Sequence, residues 1–151
     1  MRGLGGARPG TPILHVGQFS RGRGLFAPYA YVPSMELPDE RYPFLLMTGR
    51  ILYHYNACAM TDKTPEIVEI AGGSFLELND QDAGRLGIAD GDPIRVSSRR
   101  GAIETTARVS GKTSPGECWM PFHYLEGNCN WLTNAARDRI ARAPEYKVCA
   151  I

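Results

Sequence analysis

Phe44-Leu45-Leu46-Met47-Thr48-Gly49-Arg50 is an apolar run that ends in a glycine and a guanidinium, and Ile51-Leu52-Tyr53-His54-Tyr55-Asn56 follows it directly. Four apolar residues bounded by a turn signal predict a short buried strand. Gly49 lets backbone approach a ligand closely, and Arg50 offers a planar fork of donors suited to phosphate. His54 and Asn56 add groups that suit the edge of a ring. The stretch predicts a strand opening into a donor-rich loop, the design of a nucleotide or pterin site. A surface loop with a structural arginine is the plainer alternative, and Thr-Gly-Arg alone does not choose between them.

Working outward, the remaining elements are also short. Thr64 is an N-cap candidate and Pro65 a first helical residue, with Gly72-Gly73 as the stop. Phe75-Leu76-Glu77-Leu78 reads as a strand. Asn79 caps a second helix from Asp80 to about Leu86, with Asp80 and Asp82 in its first turn and Gly87 behind it. Asp90-Gly91 marks a turn. Ile94 to Ser98 alternates apolar and polar residues, Arg99-Arg100-Gly101 reverses the chain, and Ile103, Thr105, Ala107 and Val109 supply the facing strand, which predicts a hairpin. Cys118 to Phe122 is a strand whose Pro121 marks an edge or an end. Leu132 to Asp138 is expected to form a helical turn or two, and Tyr146 to Ile151 the last strand. About six short strands with two or three small helices place the chain as mainly β (α+β), and the many turns suggest a small barrel.

Residues 1–41 read as a connector arm and 42–151 as the folded domain. Seven glycines and five prolines fall within the first forty positions, which breaks helix and strand periodicity. Ile13-Leu14-His15-Val16 is a candidate edge strand there, and Leu25-Phe26 and Tyr29 to Val32 are too apolar for a solvated tail.

The chain has 151 residues, enough to bury about 70% of its unfolded surface without a disulfide or metal. With 17 basic and 16 acidic residues the formal charge is +1, which argues against a general nucleic-acid binder. No apolar run approaches the roughly 20 residues that span a bilayer, so no membrane insertion is expected. No secretory signal is visible at the N-terminus. The cysteines, Cys58, Cys118, Cys129 and Cys149, have no C-x-x-C spacing, so they read as free, buried thiols in a reducing, cytoplasmic compartment.

Three further constellations bear on chemistry. Ser97-Ser98-Arg99-Arg100-Gly101 puts two arginines at a hairpin tip, for which a solvated turn is the preferred reading. Phe122-His123-Tyr124 through Asn128-Cys129-Asn130-Trp131-Leu132-Thr133 mixes aromatic faces with amides that read a purine or pterin edge. Pro144-Glu145-Tyr146-Lys147 places an ammonium at the start of the last strand. His123 and Glu126 lack a nucleophile or metal partner, so no catalytic residue and no metal ligand is assigned.

Taken in order, these runs resemble the C-terminal molybdopterin-dinucleotide-binding domain of molybdenum- and tungsten-dependent oxidoreductases, above all that of the formate dehydrogenase α (catalytic) subunit. The matching runs are Tyr42 to Arg50, Met60-Thr61, Leu86 to Asp92, Ser97 to Gly101, Asn130 to Thr133 and Pro144 to Ala150. In the arm they are Gly10 to His15 and Arg21 to Phe26. The resemblance implies a double-psi β-barrel of the aspartate-decarboxylase-like type. It implies a clamp on bis(molybdopterin guanine dinucleotide), with Thr48, Gly49, Arg50, Ile51, Leu52, His54, Asn56, Met60, Thr61, Asn130 and Lys147 lining the cofactor. Phe122 and His123 would lie toward its buried face. Asn56-Ala57-Cys58-Ala59 and Asp62-Lys63 depart from the family pattern. The resemblance further implies that molybdenum or tungsten is held by the cofactor and by a residue outside this chain. Iron–sulfur clusters would belong to missing domains, and the partners would be the rest of the catalytic subunit and electron-transfer iron–sulfur subunits. The fragment alone would be inactive in formate oxidation.

Two other readings compete. One is a double-psi barrel used as an interaction or adaptor module without cofactor, distinguished by whether Arg50, Asn130 and Lys147 converge on one concave surface. The other is a self-processing decarboxylase rearranging at Gly73-Ser74, which leaves the Arg- and Asn-bearing loops unexplained.

Overall fold

The computed structural model describes residues 15–19 and 21–151, and the chain divides after Val32 into two compact units. In the first unit the Gly22 amide donates to the Phe19 carbonyl at 2.8 Å, and Leu25, Phe26, Tyr29 and Tyr31 are exposed. Ile13 and Leu14 of the expected edge strand, and most of the run from Gly10 to His15, lie outside the described residues.

The second unit holds six strands: β1 (Leu45–Gly49), β2 (Phe75–Asn79), β3 (Pro93–Ser97), β4 (Ala102–Ser110), β5 (Glu117–Pro121) and β6 (Val148–Ala150). Two short helices, α1 (Pro65–Ala71) and α2 (Asp80–Leu86), flank β2 in sequence. The strands form one mixed sheet in the order β3-β4-β2-β5-β1-β6. β1 runs parallel to β5 and β2 parallel to β4, while the other neighbours are antiparallel. A flat sheet would hold its outermost strands more than 20 Å apart, at about 4.8 Å per strand. Instead Ile94 and Val96 of β3 line one apolar cleft with Ile151, which directly follows β6. The sheet is therefore curled, and its concave side carries the core: Leu46, Leu76, Leu78, Val96, Ile103, Cys118, Met120 and Cys149.

Local chemistry explains most element ends. Asn79 caps α2 by accepting from the Gln81 amide at 3.0 Å, and Gly87 closes it with φ +69° and ψ 29°, a left-handed cap that glycine adopts without a Cβ penalty. Pro65 opens α1 and Gly72 ends it, but Thr64 occupies the cap position without using its side chain. The hairpin pairs Val96 with Ile103 and closes through the Ser98 amide on the Gly101 carbonyl at 2.9 Å. Ile103 and Ala107 are buried, whereas Thr105 and Val109 are half-buried. Pro121 marks the end of β5, not an edge of the sheet, because β5 lies between β2 and β1.

Two expectations need correction. No helix forms over 132–138; a single 3-10 turn precedes it at Cys129–Trp131. Side chains compete for the backbone there. Asn134 accepts from the Ala136 amide at 2.8 Å and donates to the Val148 carbonyl at 3.0 Å, while Asp138 accepts from the amides of Ile140, Ala141 and Ala143. The arginines at the hairpin tip, though exposed, are not free either. Arg99 and Arg100 both bond Glu36, Arg99 also bonds Asp39, and Arg100 donates to the Leu132 carbonyl at 2.6 Å. Glu36 also accepts from the Ala150 amide at 3.2 Å, tying the hairpin tip to β6. Burial raises the Glu36 pKa, but its bonds to Arg100 and Ala150 and the Arg100 charge outweigh that and hold it below the usual carboxylate range.

Candidate functional site

The loop after β1 and the loop before β6 meet at an open cleft of ≈ 530 Å³, lined by Arg50, Asn56, Phe122, Asn130, Thr133 and Tyr146 among others. These residues come from three separate parts of the chain. β1 delivers Arg50 and β5 delivers Phe122, and the two strands end in register, with Gly49 opposite Pro121. The Phe122 amide donates to the Gly49 carbonyl at 3.2 Å and extends that pairing by one residue. Asn130 sits in the 3-10 turn that Asn128 caps by accepting its amide at 2.9 Å. Tyr146 and Lys147 flank the chain just before β6, where the Thr48 hydroxyl donates to the Tyr146 carbonyl at 2.7 Å and the Thr48 amide donates to the Lys147 carbonyl at 2.9 Å.

Phe122 is central to the cleft. The Arg50 guanidinium carbon lies 5.2 Å from its ring centroid and the Lys147 ammonium 4.8 Å from it. The same ammonium is 4.9 Å from the Tyr146 ring, which meets Phe122 edge-on at 6.0 Å. Arg50 Nε also donates to Asn56 Oδ1 at 2.7 Å, and Asn56 is held at φ +48°. The cleft thus presents the Arg50 guanidinium, the Asn130 side chain and aromatic faces, a donor set for an anion attached to a ring system, whereas Lys147 is not among its lining residues and meets it through the Phe122 and Tyr146 rings.

The other residues expected to line a ligand divide into two groups. The buried His54 and His123 cluster with the half-buried Thr61, outside the cleft lining. The His54 and His123 rings lie 4.8 Å apart, His54 Nδ1 and the Thr61 hydroxyl are 2.8 Å apart, and the Tyr124 ring lies tilted 4.1 Å from His123. Nε2 of His123 is buried and has no partner among the described residues. Burial, and secondarily the neighbouring His54, pushes the His123 pKa down to about 4, so His123 is neutral near pH 7. Burial, then the Asp62 charge, pushes the nearby Cys58 thiol up, which keeps it protonated and unreactive. Leu52 and Met60 are 89% and 80% exposed, on the outer side of the loop and not among the cleft-lining residues. Ile51 is half-buried, outside the cleft lining as well.

Thr48 and Gly49 serve the fold as well as the loop. The Thr48 hydroxyl proton is committed to Tyr146, and a Cβ at Gly49 would stand 2.6 Å from the Trp119 indole nitrogen. The close approach that glycine permits is therefore to Trp119. Thr133 and Tyr146 line the cleft but carried no separate signal in the sequence; both lie inside runs already matched to the family, which is the signal that points to them. Ser74 is held between Thr105 Oγ1 at 3.1 Å and the Gly127 carbonyl at 3.2 Å. Among the described residues no three His, Cys, Asp or Glu side chains gather as a metal site, and no helix is long and apolar enough to cross a membrane.

The family model described as "Molydopterin dinucleotide binding domain" matches residues 44–150. The chain is 45% identical over 145 residues to the F420-dependent formate dehydrogenase 2 subunit alpha of Methanococcus maripaludis, covering 95% of this chain and 21% of that protein. It is 45% identical over 120 residues to a nitrate reductase of Symbiobacterium thermophilum, covering 77% and 16%. Acetylene hydratase from Pelobacter acetylenicus shares the fold with a TM-score of 0.65 at 15% identity, over 74% of this chain and 18% of that one. The chain spans about a fifth of the length of the formate dehydrogenase relatives it matches. With 107 of its residues inside the family model, the chain belongs to the molydopterin dinucleotide binding domain family.

Proposed function

We propose that this chain is the cofactor-clamping domain of a molybdenum- or tungsten-dependent oxidoreductase of the formate dehydrogenase type, and that it holds a dinucleotide end of bis(molybdopterin guanine dinucleotide). The observation that carries the reading is the meeting of Arg50, Phe122 and Asn130 in one cleft, with Lys147 seated on the same Phe122 ring. The residues fit the group: the cations suit phosphate oxygens, the Asn130 amide suits a guanine or pterin edge, and Phe122 and Tyr146 offer ring faces. Thr48, Gly49, Ile51, His54 and Thr61 would shape and brace the wall behind, and Leu52 and Met60 would face the rest of the subunit. When bound, the cofactor supplies the metal and its redox chemistry, while this chain's residues bind and orient its nucleotide.

We further read the curled mixed sheet as a double-psi barrel, residues 1–41 as the connector from preceding domains, and residues 42–151 as the clamp. The metal's protein ligand and the iron–sulfur centres would lie in those domains and in electron-transfer subunits, with the assembly in the cytoplasm. Free thiols at all four cysteines suit that compartment.

Titration of the chain with GMP, GDP and molybdopterin guanine dinucleotide, followed by amide chemical shifts, tests the reading. Shifts gathered at Arg50–Asn56, Phe122, Asn130 and Lys147 are expected, and Arg50→Ala should weaken GDP binding about tenfold or more. Silence with all three ligands, in the chain and in the full subunit, would leave an adaptor module instead.

A further inference from the structure

We propose that Glu36 is a positioning residue for the cleft: it is not among the lining residues, yet through Arg100 and β6 it holds the wall that carries Asn130, Thr133, Asn134 and Tyr146. The proposal rests on the reading of the cleft as a nucleotide site and assigns the fixing of that wall to a carboxylate that itself touches no ligand.

Arg100 makes the first connection. Its Nη1 and Nη2 donate to Glu36 Oε2 and Oε1 at 2.6 and 3.0 Å, and its Nε and Nη2 donate to the Leu132 carbonyl at 3.0 and 2.6 Å. A guanidinium is planar and stiff, so engaging both partners at once fixes the Leu132 carbonyl relative to Glu36. Leu132 is fully buried and caps the 3-10 turn Cys129–Trp131 that carries Asn130, its amide donating to the Cys129 carbonyl at 2.9 Å. A three-residue turn of this kind has poor hydrogen-bond geometry of its own, so ties from outside decide where Asn130 stands. The hairpin tip packs on the same turn, since a Cβ at Gly101 would stand 3.1 Å from the Trp131 carbonyl.

The second connection runs through β6. Glu36 Oε1 accepts from the Ala150 amide at 3.2 Å, and the neighbouring Met35 amide donates to the carboxylate of Glu145, the residue before Tyr146, at 3.2 Å. Glu145 also accepts from the Asn134 side chain at 3.4 Å, and Asn134 donates to the Val148 carbonyl at 3.0 Å. β6 ends the sheet, so these side chains stand where a further strand would. Asn134 lines both the cleft and a smaller pocket walled by Met35 and Glu36, which places it between the two. Among the described residues Glu36 is the one carboxylate that meets two cations, and its side chain is only 11% exposed. An apolar side chain can fill such a place without the cost of desolvating a charge; what the ion pair adds is direction.

The experiment compares the 151-residue chain with Glu36→Gln and Arg100→Lys, and with Asn79→Ala as a variant that loses stability outside the cleft. Amide hydrogen exchange, followed by NMR, reads the turn, and calorimetry with GDP reads the cleft. Glu36→Gln keeps an acceptor for Ala150 but loosens the grip on Arg100. Arg100→Lys keeps the charge but cannot serve Glu36 and Leu132 with one rigid plane. Both should speed exchange at Asn130, Trp131 and Leu132 about tenfold and lower GDP affinity about tenfold. Asn79→Ala should leave these amides and GDP affinity within about twofold of wild type. Exchange at the turn no faster than in Asn79→Ala would overturn the proposal. So would a faster turn with unchanged GDP affinity, which would make Glu36 a brace of the fold alone. If Glu36→Gln does not fold, Arg100→Lys decides on the same two readouts. A wild type that binds no GDP, in the chain and in the full subunit, removes the nucleotide reading by itself. A faster turn in both variants would then still uphold the hold of Glu36 on that wall, and an unchanged one would overturn it.

Discussion

Gly49→Ala should destabilise this domain through Trp119 before it affects any ligand. A Cβ at position 49 would stand 2.6 Å from Nε1 and 2.9 Å from both Cε2 and Cζ2 of Trp119. Contacts that short cannot persist, so either the backbone or the indole moves. The backbone is pinned: Gly49 is paired with Pro121 in β1/β5 and its carbonyl accepts from Phe122. The indole moves instead, and it packs against Phe75 at 5.7 Å between ring centroids. Overpacking of this kind costs about 1–3 kcal/mol. Taking about 2 kcal/mol, the melting temperature should drop by roughly 4–8 °C for a domain of this size. Urea unfolding, read by circular dichroism, measures the loss. Trp119→Phe removes the atoms that clash, so Gly49→Ala should cost less in that background, with a coupling of about 1 kcal/mol or more in the double-mutant cycle. A Gly49→Ala cost below about 0.5 kcal/mol, or full additivity with Trp119→Phe, would refute the reasoning. In that case the glycine would instead be required by what lies in front of the loop.

Two further outcomes follow from the buried polar groups. His123 takes its proton near 6.5 when unfolded and only near 4 when folded, so stability is full above about pH 6.5 and falls as pH drops through that value toward 4. The loss approaches roughly 3 kcal/mol; urea midpoints at pH 7.5 and 4.5 should show it in wild type and much less in His123→Gln, and equal pH dependence in the two would sink the assignment. Asn79→Ala removes both the α2 cap and the donor to the Thr113 carbonyl at 2.6 Å, for a loss of about 2–3 kcal/mol. Asn79→Ser should recover the cap share alone, and an Asn79→Ala loss within 0.5 kcal/mol of zero by urea titration would contradict the double role.

Local sequence chemistry determined much of this protein. The strand read from Phe44 to Thr48 and found at Leu45–Gly49, the Asn79 cap with Gly87 as its stop, and the hairpin reversing at Arg99-Arg100-Gly101 rest on periodicity, capping and turn residues, which act over a few positions. The order of its motifs also pointed to the family. Long-range competition was invisible to that reading. Leu132–Asp138 has a helical look, yet the Asn134 amide is drawn to Val148 and the turn never propagates. Arg99 and Arg100 look unpaired until Glu36, more than sixty positions earlier, is folded beside them. Sequence named Arg50, Asn130 and Lys147 separately, but only the pairing of β1 with β5 and β6 brings the first beside Phe122 and the last onto the same ring. A cleft is a property of which strands are neighbours, and in a sheet with crossovers that order is set by packing of the whole core, not by any segment of it.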